Sequence, residues 1–426
     1  MEDEDSFGSP KQVTDEDIHK TLQRVGQNDA TFKTLNIGNN HQIPALNGHI
    51  FSGINNNNGV YNNFSVNDDE FSRLGDYIGT NTNLKTLEVQ INRAKGEPKV
   101  TDRFYDGLKK NSSIKFLTMH CSGHNLVGGV LHKILNAYQA NSSRLTGLHI
   151  DYTGLQNGGD NIITTTLRSC SKLTKIELTH CSITDEMLWP MIEALRGHKL
   201  EKLLLSNNDI GNSGCEAIAT LLAFGYTSHL CLSHNNIGNQ GMTSLANSLI
   251  NNTKLDTLEL YANLFNKRSA EEIFSKMICN KSSINSIYSS NHTLENMELT
   301  VNLPPQIAPM VPGYEPVDGQ LLDLLRVNRC EDKVHVAIIK ILKYHPNIDI
   351  ESLFELDKEG ERNLKALPYI MSWFKRARAA TEHYETEEYH IETKKLSAMY
   401  QFAQAMPILF VPTSTSDNRK RKRDSA

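Results

Sequence analysis

Apolar residues recur through the middle of the chain in a pattern of the form L-x-x-L-x-L-x-x-N, starting at Leu84, Ile114, Leu145, Leu173, Leu200, Thr227, Leu255 and Ile284. The intervals are 30, 31, 28, 27, 27, 28 and 29 residues, so one unit is repeated rather than one motif scattered. The clearest copy is LEKLLLSNNDIGNSGCEAIATLL, with Leu200, Leu203, Leu205, Asn208, Ile210, Gly214, Ile218 and Leu221 at the key positions. The next copy repeats them with Leu230, Leu232, Asn235, Ile237, Gly241, Leu245 and Leu249. An earlier copy, FKTLNIGNN, begins at Phe32, 52 residues before Leu84 and close to two periods. The Asn-rich stretch between reads as a degenerate repeat or an inserted loop.

The L-x-L core has period two and predicts a short strand with one buried face. The following Gly-to-Leu stretch has apolar residues three and four apart and predicts a helix. A single unit cannot bury its own apolar face, whereas stacked units form a parallel sheet on one side and a row of helices on the other. Asn at the ninth position (Asn40, Asn92, Asn208, Asn235, Asn263) can satisfy turn backbone groups with its amide and link one repeat to the next. Cys181 takes that place in one copy, and Ser122, Thr153 and His292 take it in the worn ones.

These motifs resemble the leucine-rich repeat family, in its long ribonuclease-inhibitor-like subtype with an α-helix in each repeat. The resemblance covers residues 30 to 300, about two thirds of the chain. It implies an α/β fold: a horseshoe-shaped solenoid with a concave parallel sheet and convex helices, followed by an all-helical C-terminal region. Five segments are expected. They are an acidic tail and capping helix (1–31), the solenoid (32–300), a proline-rich connector (301–319), a helical region (320–412) and a basic disordered tail (413–426). Within the first, Ile18, Leu22 and Val25 share a helix face placed to cap the first strand. Beyond the prolines, Leu321, Leu322, Leu325, Val334, Ile338, Ile341 and Leu342 fall at helix spacing, as do Leu364 to Phe374 and Leu396 to Met406.

Composition narrows the function classes. With 44 Lys+Arg against 49 Asp+Glu, the formal charge is −5, and no overall field draws in nucleic acid or anionic membrane. Apolar runs are too short to span a bilayer, and the acidic N-terminus does not look like a secretory signal. The expectation is an intracellular protein whose seven cysteines are free thiols. The sequons at Asn63, Asn111, Asn141, Asn251, Asn280 and Asn291 are then a by-product of an Asn-rich composition. Five consecutive cations, Arg419, Lys420, Arg421, Lys422 and Arg423, form a short nuclear-localisation-like cluster, which a solubilising tail would also explain.

Stacking the repeats in register lines up the residues between the buried leucines. One row reads Glu88, Thr118, His149, Glu177, Leu204, Cys231, Glu259 and Tyr288. Its neighbour reads Gln90, His120, Asp151, Thr179, Ser206, Ser233, Tyr261 and Ser290, and the row before reads Thr86, Phe116, Gly147, Lys175, Lys202, His229, Thr257 and Ser286. His149 beside Glu177 and His120 beside Asp151, with His180 behind them, have the chemistry of a metal site or a general acid–base centre. A polar, solvated sheet face accounts for them without either, and it is the expectation adopted, because a shallow open face lacks the pocket that catalysis needs. No catalytic, cofactor or metal residue is assigned. IGNSG and IGNQG lack the spacing and the Lys of phosphate loops and read as turns into helices. Cys231 reads as an exposed bystander thiol.

The function expected is that of a non-enzymatic scaffold whose concave face binds a protein partner of unspecified identity through His149, Glu177, Lys202, His229, Glu259, Tyr261 and Tyr288. The alternative is a small-GTPase regulator, because the GTPase-activating protein of the nuclear-transport GTPase has a similar solenoid. That family carries a long acidic segment after its repeats. This chain has a proline connector, helices and a basic tail instead, which counts against the analogy.

Overall fold

A computed structural model of the chain describes residues 15–37, 59–61, 68–92, 101–122, 129–139, 144–151, 155, 159–300, 317–331 and 333–345. Its contacts divide the chain into two units, one of Met1–Ile278 with Thr293–Leu325 and the other of Cys279–His292 with Arg326–Ala426. The proline connector, the later C-terminal helices and the basic tail lie outside the described residues.

The first unit is a leucine-rich repeat solenoid. After α1 (Asp15–Gly26) come β1 (Thr34–Ile37), β2 (Gly59–Tyr61), α2 (Asp68–Thr80), β3 (Thr86–Asn92), α3 (Asp102–Lys110) and β4 (Phe116–Ser122). Strict alternation continues with α4 (Val130–Gln139), β5 (Gly147–Asp151), α5 (Gly159–Ser169), β6 (Lys175–Thr179), α6 (Asp185–Ala194) and β7 (Lys202–Leu204). It runs on through α7 (Asn212–Leu222), β8 (His229–Cys231), α8 (Asn239–Leu249), β9 (Thr257–Glu259), α9 (Lys267–Ile278) and, after α10 (Ile284–Tyr288), which belongs to the second unit, β10 (Asn296–Glu298). All ten strands form one parallel sheet in the order β10-β9-β8-β7-β6-β5-β4-β3-β1-β2.

The core is the pattern made solid. Leu84, Leu87, Leu117, Leu148, Ile176, Leu230 and Leu258 are fully buried, and each repeat helix from α2 to α9 packs on the next. Between α2 and α3 the approach is closest: a Cβ on Gly107 would collide with the backbone carbonyl of Gly75, so only glycine fits there.

Two boundaries depart from the pattern. The 52-residue gap before Leu84 is one repeat step rather than two, because β1 pairs directly with β3, Leu35 opposite Leu87. β2 lies on the outer side of β1 as the edge strand of the sheet, and α1 packs against it. At the other end Ile284 does not begin a strand, since Ile284–Tyr288 is helical. The tenth strand follows Leu294, 39 residues after Leu255, with Met297 opposite Leu258 and Glu298 opposite Glu259. The extra short helix lengthens that repeat, and the worn L-x-x-M-x-L of Leu294, Met297 and Leu299 hid the true start.

In the second unit, α10 is joined by α12 (Lys333–Tyr344). Lys340, 1% exposed, donates from Nζ to the Asn291 carbonyl and lies 3.1 Å from His292 Nδ1. Burial depresses its ammonium to about 7. The expected helix around Leu321 and Leu325 is α11 (Gly319–Asn328), although Leu322 is 36% exposed rather than on its buried face.

Candidate functional site on the strand face

Ladder asparagines end the strands of the regular repeats. Asn235 donates from Nδ2 to the carbonyls of Leu205 and Leu232 at 2.9 and 3.0 Å, and its Oδ1 accepts from Ile210 N at 3.0 Å. Asn208 and Asn263 repeat the arrangement, bonding Leu178 and Leu232 of the preceding repeat. The residue before each ladder position, Asn207, His234 or Ala262, is left-handed at φ 54 to 56°, and His180 before Cys181 is likewise at 53°. The glycine turns lead into helices as expected. Gly211 and Gly238 stand at the starts of α7 and α8, and their amides donate to Asp185 Oδ1 and Asn212 Oδ1 of the previous repeat. Asn40 and the side chain of Asn92 lie outside the described residues.

A second ladder went unread in the sequence. Asn81, Asn111 and Asn252, each three residues before a repeat start, turn the chain from helix to strand. Asn111, fully buried, donates to the carbonyls of Ile78 and Asn81 and accepts from Ser113 N and Ile114 N. The N-x-x-[L/I] spacing was the available signal. It also gives the Asn111 sequon a structural reason that composition does not supply.

On the sheet face opposite the helices, strand register fulfils both histidine pairings: His149 is opposite Glu177 and His120 opposite Asp151. His149 Nε2 lies 3.7 Å from Glu177 Oε1, and His120 Nε2 lies 3.4 Å from Glu88 Oε1. His180 Nδ1 is 3.0 Å from Asp151 Oδ1, which also accepts from Thr179 Oγ1 at 2.9 Å. The His120 and His149 rings meet edge to face with centroids 5.2 Å apart. Burial opposes a charged His120, but the Asp151 and Glu88 carboxylates outweigh it and raise the imidazole to about 9. Asp151 is held below the ordinary carboxylate range: burial works the other way, and His120, Thr179 and His180 overcome it.

The expectation of a solvated face fails here. His149, Asp151 and Glu177 are 2, 1 and 3% exposed. His149 and Glu177 therefore are not open contact residues, and polar groups this deeply buried must answer to one another.

Farther along the sheet the face is more open. Lys202, His229, Glu259 and Tyr261 are all half-buried. His229 Nε2 meets Glu259 Oε1 at 2.7 Å, and Tyr261 stacks edge to face on His234 at 5.1 Å. Cys231 is buried rather than exposed, and burial, with Glu259 second, pushes its thiol up to about 12. Tyr288 is 60% exposed but stands on α10, so its expected place beside Glu259 belongs to Glu298.

The leucine-rich repeat family model matches residues 169–186, 198–219 and 228–246. No curated protein matches the chain significantly. Among solved structures the chain is similar to leiomodin-1 actin-binding site 2, with 14% identity over 45% of this chain and 86% of that chain and a TM-score of 0.22. A likeness at that level says nothing of what this chain binds. No helix among the described residues is long and apolar enough to cross a membrane.

Proposed function

We propose that the chain is a non-enzymatic interaction scaffold that takes a protein partner on the strand face, in its open stretch over β7, β8 and β9. The observation that carries this reading is the half-buried set Lys202, His229, Glu259 and Tyr261. Lys202, His229 and Glu259 stand on the consecutive strands β7, β8 and β9, and Tyr261 follows β9; charged and aromatic groups together are the composition of interaction hot spots. The helix in each repeat and the period of 27 to 28 residues in the regular copies support the ribonuclease-inhibitor-like subtype. The same stretch has the parts of a nucleophilic site without its activation. His229 is engaged by Glu259, and Cys231 has its thiol raised rather than lowered.

The test is affinity capture with the intact protein beside a Lys202→Ala, His229→Ala, Tyr261→Ala variant whose thermal unfolding is followed in parallel. A partner held by the first and lost by the second, at unchanged unfolding, supports the reading. Equal capture by both moves the contact elsewhere, with Tyr288 the next residue to change. The Arg419–Arg423 cluster is proposed as a nuclear signal; a fluorescent fusion lacking it that distributes as the intact fusion does would refute that role.

A further inference from the structure

The buried stretch of the strand face holds a cluster that the scaffold reading does not use. His120, His149 and Asp151 each offer one ligand atom, and these atoms all lie within 4.8 Å of one another. Parallel pairing of β4 with β5 sets this spacing: His120 is directly opposite Asp151, and His149 lies two residues before Asp151 on the same face. We propose that His120, His149 and Asp151 bind one divalent transition-metal ion of the zinc class, and that the ion ties β4 to β5.

Three features of the cluster favour an ion over a simple hydrogen-bonded network. Asp151 is 1% exposed and spends Oδ1 on Thr179 and His180, while its buried Oδ2 has no hydrogen-bond partner among the described residues. The buried Nδ1 of His120 has none either, and the two face each other at 3.7 Å, too far for a hydrogen bond. With His120 neutral, both atoms can present lone pairs, and a shared cation would satisfy the two together where no hydrogen bond does.

The donor set also fits. Two imidazoles and one carboxylate suit zinc, whose tetrahedral bonds of about 2.0–2.1 Å put ligand atoms about 3.4 Å apart. The cluster has to close by at most about 1.4 Å from its widest separation, within reach of side-chain rotation. Outer partners are in place as well. Glu88 lies beside the other nitrogen of His120, Glu177 lies beside His149, and Thr179 and His180 hold Asp151. Carboxylates and hydroxyls in this relation orient metal ligands.

The experiment is equilibrium dialysis of the metal-stripped full-length protein against Zn(II), with competition by a chromophoric chelator. The expected result is one ion per chain at micromolar affinity or better. His120→Gln and Asp151→Asn should each weaken it at least tenfold, while His229→Gln leaves it unchanged. Equal affinity in all four proteins, or no stoichiometric binding by the intact protein, overturns the proposal. Should the variants fail to fold, X-ray absorption at the zinc edge of the intact loaded protein decides. Imidazole and oxygen scattering supports the site, and sulfur scattering overturns it.

Discussion

Two stretches of one sheet obey different rules. β3 and β4 run for seven residues, whereas β7, β8 and β9 run for three, although all carry alternating apolar residues that begin at a leucine. The difference lies in how the ninth position is used, since β3 carries Asn92 there as a paired strand residue. Where Asn208, Asn235 or Asn263 gathers turn carbonyls, the preceding residue flips to positive φ and the strand stops. In β4 the corresponding residues, Cys121 and Ser122, remain in the strand and keep pairing with β3. The longer strands bring His120 and Asp151 into register on neighbouring strands.

The largest test breaks the ladder where it is strongest. Asn235→Ala leaves the carbonyls of Leu205 and Leu232 and the amide of Ile210 without their partner, each in a buried turn. At about 1–3 kcal/mol per orphaned buried group, a loss of about 4 kcal/mol in urea unfolding is expected. A loss under about 1 kcal/mol would mean that the asparagine does not hold the turn. The same position should matter less in the Leu173 copy, where cysteine replaces asparagine. The Cys181 thiol bonds the Ile150 and Thr179 carbonyls at 3.4 and 3.2 Å, weak contacts for a weak donor, and Cys181→Ala should cost about 1 kcal/mol.

The same contrast explains what the sequence disclosed. Strong copies, from Leu173 to Leu255, could be placed to the residue because leucine, asparagine and glycine each hold one backbone or packing role there. Strand register followed from the period, and with it the His149–Glu177 and His120–Asp151 pairings. Burial did not follow, because a polar residue between two leucines reads the same whether its face is open or closed. Glu298 was missed for another reason: Met297 stands in for a leucine, and the intervening α10 shifts the period by ten residues, from 29 to 39.

Helix packing separates the two stretches next. Beneath the long strands, α2 and α3 approach so closely that a Cβ on Gly107 would strike the Gly75 backbone. Backbone cannot swing aside as a side chain can, so Gly107→Ala should destabilise by about 3 kcal/mol despite alanine's better helix propensity. Gly238→Ala in the regular stretch meets only the Asn212 amide, at 3.2 Å, and should cost visibly less in the same urea titration.

The smallest effect probes the open end of the sheet. Glu298 and Glu259 are opposite each other on β10 and β9. Burial first, and the Glu259 charge second, raise Glu298 above its ordinary 4.5, whereas His229 keeps Glu259 low against the effect of burial. Between 4.5 and the raised value the folded protein binds a proton that the unfolded chain has released. Stability from this group therefore falls as pH rises through that window, and the ionised Glu298 is a net cost at pH 7. Glu298 is half-buried and partly screened, so Glu298→Gln should stabilise by only about 0.5 kcal/mol at pH 7. That gain should close as pH falls toward about 4, where the native carboxyl is already neutral. A gain that persisted at low pH would place its origin in packing rather than in the paired charges.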